Sequence, residues 1–221
     1  GVALGDVVAE VEKLLADYPA PDGVDLEVGG TVEDQGDAFG DLGTLLILIV
    51  ILVYIVMATQ FESLKFPFII MFTIPFAFTG VFLALWMTST PLSLIALIGA
   101  IMLVGIVTKN GIVMVDYMNL LIERGSGVFD AVIAGGKSRL RPVLMTSFTT
   151  ILGMLPLAIG TGAGSETWQP MGIAVIGGLT FSTILTLFIV PVLYSILVNR
   201  SQRKEREKLA RLSAEHQASK H

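Results

Sequence analysis

The distribution of uncharged residues along the chain predicts five membrane-spanning helices. Uncharged stretches run through residues 42–61, 66–108, 142–165 and 167–199, and a helix that crosses a membrane needs about 20 apolar residues. The second stretch is long enough for two helices and is interrupted at 88–91, a turn-like Thr-Ser-Thr-Pro sequence. We therefore expect helices at about 42–60, 66–87, 92–122, 142–161 and 170–198.

The residues before the first span have the pattern of a soluble domain. Apolar residues recur at helical spacing over 4–15 and alternate with acids over 24–28, which predicts a helix and then a strand. Residues 31–41 are expected to lead into the first span as a helix. One helix and one strand cannot form a core, so we interpret residues 1–41 as the end of an α+β domain whose other elements lie upstream.

Charge separates this segment from the rest of the chain. Only 15% of the 221 residues are charged, against about 25% in soluble domains. Residues 1–41 carry a net charge of −10 and the remainder +5. This balance argues against a disordered chain, a nucleic-acid-binding protein and a soluble enzyme. The chain has no cysteine and only two histidines, both in the polar tail, so we expect no metal site and no cofactor.

Lysine and arginine in the short loops predict the orientation in the membrane. Loop 62–65 carries one base, loop 123–141 carries four and the tail 200–211 carries six. These three segments lie on one side by alternation, which the positive-inside rule makes the cytoplasm. Trp86 and Trp168 then fall at the opposite, outer face as interface anchors. The tail, 200–221, is interpreted as a solvated cytoplasmic extension, with a dedicated site for anionic lipid or a partner as the alternative.

Lys109 is the residue most indicative of function. An ionisable residue inside a span costs roughly 2.5–3.5 kcal/mol, and Lys109 is about 25 Å and 22 Å along the helix from Leu92 and Arg124. Its ammonium needs a carboxylate, and Asp116, about 10 Å away along the same face, is too far. No other acid lies within a span, so we expect the partner on a helix outside these residues. Such a pair can couple proton flow to helix movement, or it can be a static tie, that is, a buried ion pair that only holds helices together.

Two polar residues flank Lys109 in the same helix. Thr108 and Asn110 could order water or a second helix beside the ammonium. The alternative for Thr108, and for other hydroxyls such as that of Thr146, is a hydrogen bond to a carbonyl one turn back.

Several motifs, in order and at matching spacing, resemble one family. Residues 105–117, Gly-Ile-Val-Thr-Lys-Asn-Gly-Ile-Val-Met-Val-Asp-Tyr, are similar to the G-x-x-x-K-N-x-I-x-x-V-[DE] helix of resistance–nodulation–division (RND) efflux pumps. Residues 139–147, 153–165 and 60–63 are similar to further segments of that family. The resemblance covers residues 24–200, and its closest branch is the hydrophobe/amphiphile exporters.

The resemblance implies a fold and a proton relay. The fold class is an all-α membrane bundle holding the last five of twelve transmembrane helices, preceded by the end of an α+β periplasmic porter subdomain. The lysine at the position of Lys109 pairs with two aspartates on the fourth helix of the family, and the threonine at Thr146 belongs to the same relay. Asn110, Thr108 and Asp116 are given auxiliary roles, and the proton is the coupling ion.

The expected function is that of the C-terminal membrane part of a proton-driven exporter of small amphiphiles. The resemblance implies a homotrimer among lipids of a Gram-negative-type inner membrane, with an N-terminal periplasmic segment and a cytoplasmic C-terminus. Its partners would be an N-terminal part carrying the aspartates, a periplasmic adaptor and an outer-membrane channel, but no nucleic acid. Two alternatives remain: an RND-superfamily transporter of protein or lipid cargo, and a membrane scaffold in which Lys109 only ties helices together.

Overall fold

The structure is a computed structural model that describes residues 31–160, Gly162 and residues 164–218, together with six helical positions between Val7 and Leu15. The strand expected at 24–28 lies outside the described residues. From Thr31 onward the described residues form six helices: α1 (Thr31–Gln60), α2 (Lys65–Met71), α3 (Thr73–Met87), α4 (Leu94–Glu123), α5 (Val128–Ile159) and α6 (Ser165–Ala218).

Five of the resulting segments are long and apolar enough to cross a membrane. The helices α2 and α3 together make one of them, Lys65–Met87, and α6 contributes its first part, Ser165–Asn199. Within the described residues the chain is helical with short connections and contains no strand. The expectation of an all-helical bundle with five apolar helices is confirmed.

The helix ends differ from those expected. Helix α1 begins at Thr31, which confirms that residues 31–41 lead into the first span as a helix, but the last helix runs from Ser165 to Ala218 rather than over 170–198. The expected loop 123–141 was wrong, because α5 already begins at Val128 and only 124–127 separate it from α4. Basic residues mark where the chain leaves the bilayer, but they are good helix formers, so the helix continues through them.

The basic first part of α5 is held by packing against α4. Val128, Ala131 and Gly135 are buried, and a Cβ added to Gly135 would lie 2.7 Å from Met118 Cγ. Lys137 remains exposed. One face of this segment therefore packs and the other carries the charge, which is the pattern of an amphipathic helix.

The second span is divided at Phe72, between α2 and α3. Pro75 has no N–H to donate to the carbonyl of Met71, four residues earlier, so the regular helical ladder is interrupted there. The N–H of Phe72 still donates to the carbonyl of Phe68 at 3.2 Å. The two segments therefore stay in sequence as one broken span.

Helix α6 lies at the centre of the bundle and packs against α3, α4 and α5. One buried cluster joins α3, α4 and α6, and its members are Ala77, Val81, Leu85, Ala96, Ala100, Leu103, Val107, Ile173, Ala174 and Leu179. A second joins α1, α2, α4 and α6, and its members are Met57, Ile69, Ile70, Met114, Val115, Met118, Val190 and Tyr194. By contrast, α1 and α5 bury few of their side chains.

Glycines let α3 and α6 approach closely. A Cβ added to Gly80 would lie 2.8 Å from the carbonyl oxygen of Gly177, and one added to Gly177 would overlap the Cβ of Ala84. A Cβ on Gly178 would lie 2.8 Å from Val81 Cγ2 of α3. This close contact of small residues is the usual way in which membrane helices gain dispersion energy, since lipid is as apolar as the side chains it replaces.

The order of the helices defines two ends of the bundle. The connections 61–64 and 124–127 lie at one end, which we name the Arg124 end. The connections 88–93 and 160–164 lie at the other, which we name the Thr88 end. Every span crosses from one of these ends to the other.

Candidate functional site

Helix α4 holds Lys109 midway between the two ends. Lys109 is 15 residues from Leu94 and 14 from Glu123, or about 22 and 21 Å along the helix. The helix is capped by Ser93, whose Oγ accepts a hydrogen bond from the N–H of Ala96 at 3.2 Å. Its position midway along the span places the lysine at the depth where a charge costs most.

One face of α4 is left uncovered by the rest of the described chain. Its exposed residues are Ile98, Met102, Gly105, Lys109, Asp116, Leu120 and Glu123, whose spacing of three, four and seven places them on one side of a helix. The opposite side is buried in the two clusters. The helix is therefore packed on one side and open on the other, and Lys109 lies on the open side.

The open face has room for another helix. A Cβ added to Gly105, one turn from Lys109, would meet nothing within 4 Å. On the packed side, a Cβ added to Gly111 would lie 2.8 Å from Ile70 Cγ2. Of these two glycines, Gly111 is used in packing within the described chain, and Gly105 is free for an additional partner.

Within the described part of the chain, Lys109 has no carboxylate within ion-pair distance. Asp116 shares its face but lies seven residues toward the Arg124 end, about 10 Å along the helix. A cavity of about 290 Å³ surrounds Asp116 at that end and is also lined by Glu62, Asn119 and Glu123. Asp116 therefore belongs to the edge of the bundle and not to the surroundings of Lys109.

The two flanking residues have different positions. Thr108 is 3% exposed, and its Oγ1 donates to the carbonyl of Val104 at 2.8 Å. Asn110 is half-buried. Thr108 thus faces the interior of the bundle and makes the local hydrogen bond that hydroxyls usually make in helices, whereas Lys109 faces outward.

Thr146 is an exposed residue of α5 at a depth similar to that of Lys109. It is 18 residues from Val128, about 27 Å along its helix, against about 21 Å for Lys109 measured from the same end. Its Oγ1 donates to the carbonyl of Val143 at 3.0 Å. The structure brings the two residues to neighbouring helices and similar depth, but they form no hydrogen bond with each other among the described residues.

A buried hydrogen bond between α5 and α6 escaped the sequence analysis. Ser147 Oγ and Thr183 Oγ1 are 2.9 Å apart, and the two residues are 3% and 5% exposed. Successive helical residues point about 100° apart, so fixing Ser147 toward α6 turns Thr146 away from it. The pair therefore sets the direction in which Thr146 points.

Removing this hydrogen bond is expected to destabilise the α5–α6 contact. In a double-mutant cycle of Ser147→Ala and Thr183→Val, we expect a coupling free energy of about 0.6–1.7 kcal/mol, the range of interhelical hydrogen bonds in membrane proteins. Reversible unfolding in mixed micelles measures it. Ser195→Ala is the matched control, because among the described residues the hydrogen bond of Ser195 Oγ is to the carbonyl of Val192 in its own helix. A coupling indistinguishable from zero would contradict a structural role for the pair.

Two further contacts fix α4 near the Arg124 end. The hydroxyl of Tyr194 on α6 donates to Asn119 Oδ1 on α4. The guanidinium of Arg139 on α5 lies 4.5 Å from the centre of the Tyr117 ring, within the range of a cation–π interaction. The orientation of the open face is therefore held by α5 and α6 together.

Comparison with known proteins gives a consistent picture. The model of a family described as AcrB/AcrD/AcrF matches residues 1–198. The cobalt-zinc-cadmium resistance protein CzcA of Cupriavidus metallidurans is 37% identical over 206 residues, which cover 93% of this chain and 19% of CzcA. The multidrug resistance protein MdtC of Erwinia tasmaniensis is 37% identical over 207 residues, covering 93% of this chain and 20% of MdtC.

A solved structure has the same fold. The crystal structure of a heavy metal efflux pump aligns with a TM-score of 0.77 and 29% identity, over 90% of this chain and 20% of the pump. The chain thus spans about a fifth of the length of the proteins it matches.

Proposed function

This chain belongs to the AcrB/AcrD/AcrF family of RND transporters, and from that premise we propose that it is the C-terminal membrane part of a proton-driven exporter of small amphiphiles. The observation that carries the proposal is Lys109, which lies at mid-depth on the open face of α4 with no carboxylate beside it in the described chain. An ammonium at the middle of a bilayer without a counter-charge is costly, so the open face requires an acidic partner.

We assign that partner to helices of the N-terminal part of the same pump. Carboxylates that pack beside Gly105 would come within reach of Lys109. While they are ionised, they pair with the ammonium. When a proton neutralises them, the attraction is lost and the two helices are free to shift. Proton movement and helix movement are then linked at one position, which is the requirement for antiport.

Thr146 is the second proposed member of the relay. Replacing it with Ala in the complete pump should lower proton-driven efflux by about 3- to 10-fold, a barrier change of about 0.7–1.4 kcal/mol. The reason is that alanine has no hydroxyl to transfer protons or to order water beside the carboxylates. Efflux of a fluorescent amphiphile from cells or proteoliposomes measures this change.

Thr149→Ala is the matched control for Thr146. Thr149 is also exposed on α5, and its Oγ1 bonds the carbonyl of Met145 in its own helix at 2.8 Å. We expect this variant to transport like the unmodified pump. Thr146 would be removed from the relay if its variant showed unchanged efflux, or if both variants lost activity equally.

The cargo has two candidates. Small amphiphiles follow from the resemblance to the hydrophobe/amphiphile exporters and are supported by the relative named as a multidrug resistance protein. Divalent metal cations are the second candidate, favoured by the relative named for cobalt, zinc and cadmium resistance and by the heavy metal efflux pump of known structure.

Parallel efflux assays distinguish these cargoes. The complete pump is reconstituted with an imposed pH gradient and supplied with a cationic dye or with Zn²⁺, Co²⁺ or Cd²⁺. We expect gradient-dependent dye export without metal export. Metal export alone would overturn the amphiphile assignment. Export of neither the dye nor a metal would also overturn it and would favour the alternative of protein or lipid cargo. Efflux that continues after a protonophore collapses the gradient would contradict proton antiport itself.

The surroundings of the complete protein follow from the same proposal. We place it in the bacterial inner membrane with the Arg124 end toward the cytoplasm, as a homotrimer that works with a periplasmic adaptor and an outer-membrane channel. The charge pattern supports this orientation, since the segment after Asn199 holds seven of the 14 lysines and arginines, and Lys65 and Arg124 lie at the two connections of the Arg124 end.

A further inference from the structure

A cavity of about 390 Å³ lies between α3, α5 and α6 at the Thr88 end of the bundle. Small residues on the three helices, Ala84, Ala158 and Gly177, leave the hollow, and Ile173 and Ile176 of α6 form an apolar wall. The volume falls within the roughly 300–1,000 Å³ of pockets that bind small molecules. An apolar hollow of this kind is poorly suited to water and well suited to a hydrocarbon chain.

The rim of the cavity carries polar side chains that already make hydrogen bonds within the bundle. Thr88 Oγ1 donates to the carbonyl of Ala84 at 2.9 Å and lies 2.9 Å from Thr90 Oγ1. Gln169 Nε2 donates to the carbonyl of Ala158 at 3.1 Å. One N–H of Gln169 remains as a donor, and it is outnumbered by the acceptors left at the rim, which are the amide oxygen of Gln169 and lone pairs of the two threonines. The rim therefore suits a group that donates hydrogen bonds or carries positive charge.

The two connections at the Thr88 end, together with the first turn of α6, carry negative formal charge and no positive charge. The sequence has no lysine or arginine over 88–93 or 160–169, and Glu166 is the one charged residue in these two stretches. Glu166 is exposed in the first turn of α6, and it lies one turn before Gln169 on the same face of the helix. A cation at the rim is favoured, and an anionic headgroup would meet a carboxylate with no base to offset it.

Two tryptophans indicate the depth of the rim. Trp86 is 80% exposed and Trp168 is 50% exposed, and both lie beside residues that line the cavity, Met87 and Gln169. Exposed tryptophans of membrane proteins concentrate at the level of the lipid headgroups. The rim therefore lies at the membrane–water interface, with the apolar wall extending toward the hydrocarbon.

We propose that this cavity, an open groove between α3, α5 and α6, is a binding site for a cationic amphiphile. The hydrocarbon chain lies between α3, α5 and α6, and the ammonium head lies at the rim near Glu166 and the free acceptor of Gln169. Positive charge and an apolar chain in one molecule match the two halves of the groove.

Photolabelling of the complete pump in neutral nanodiscs tests the proposal. The probe is dodecyltrimethylammonium with a diazirine in its chain, and we expect labelled residues in α3, α5 and α6 around the groove. Glu166→Gln should weaken probe binding about two- to fivefold at low salt, as for an exposed charge pair, whereas Glu62→Gln, the same change at the exposed acid of the Arg124 end, should not. Equal labelling of all three proteins would overturn the role of Glu166 and with it the proposed site.

A second pair of variants tests the hydrocarbon half. Ile176→Trp fills the groove and should reduce labelling there at least about tenfold, a change of about 1.4 kcal/mol in binding. Ile184→Trp is the control, because Ile184 is 53% exposed on the same helix away from the groove. Dodecyl sulfate that competes as strongly as unlabelled dodecyltrimethylammonium, or labelling unaffected by Ile176→Trp, would overturn the proposal. Binding is measured without a pH gradient, so its failure would leave the antiport proposal intact.

Discussion

Replacing Lys109 with Met in the complete pump is expected to reduce proton-driven efflux to background, a loss of at least about tenfold, or about 1.4 kcal/mol. Methionine preserves most of the length and volume of the side chain but carries no charge. Without the ammonium, carboxylates packed against the open face of α4 stay protonated because nothing stabilises their ionised form in that environment. Since they no longer release protons, the gradient cannot drive a cycle. Efflux from proteoliposomes with an imposed pH gradient measures the effect.

The same variant separates a relay from a static tie. Neutral carboxylates can remain buried without a cation, so we expect the Lys109→Met pump to insert and fold normally while it fails to transport. Lys137→Met is the matched control, because Lys137 is exposed on α5 outside the midplane, and it should transport normally. Wild-type efflux in a folded Lys109→Met pump would refute the relay. Loss of folding rather than of transport would identify Lys109 as a tie and favour the scaffold.

The number of spans could be predicted because the bilayer allows few solutions. Backbone polar groups must be paired inside the hydrocarbon, so a long apolar stretch becomes a helix. The helix ends could not be predicted from the same signal. Lys137, Arg139 and Arg141 lie outside the apolar stretch but inside helix α5. The packing of Gly135 against Met118 stabilises this basic part of the helix.

The sequence was enough to identify Lys109 as the candidate site residue, but not to predict which face of α4 it lies on. Lys109 is conspicuous because its charge is costly at that depth. Which side of α4 it faces was not predictable, since the spans are apolar all round and show no stripe that distinguishes core from lipid. The Ser147–Thr183 hydrogen bond was hidden for a related reason. Every hydroxyl in these helices has a carbonyl one turn back, and only the packing of α5 on α6 shows which pair bonds across helices.

Replacing Gly177 with Ala is expected to lower the free energy of unfolding by about 1–3 kcal/mol, the usual cost of overfilling a packed core. The added Cβ would overlap the Cβ of Ala84, which is attached directly to the backbone of α3 and cannot rotate away. The two helices must therefore separate, and the buried contacts of Val81 and Ala174 at their interface weaken. Unfolding of the purified protein in mixed micelles measures the loss.

Two further variants decide whether the contact between α3 and α6 is the cause. Gly153→Ala adds the same methyl group to a helical glycine with nothing within 4 Å, so we expect stability to be kept or to rise by up to about 1 kcal/mol from helix propensity. Ala84→Gly combined with Gly177→Ala exchanges the two residues across the interface and should recover much of the loss, because the methyl group then occupies the space that Ala84 vacates. If the exchange recovered nothing, or Gly153→Ala cost as much as Gly177→Ala, the loss would not come from the approach of α3 to α6.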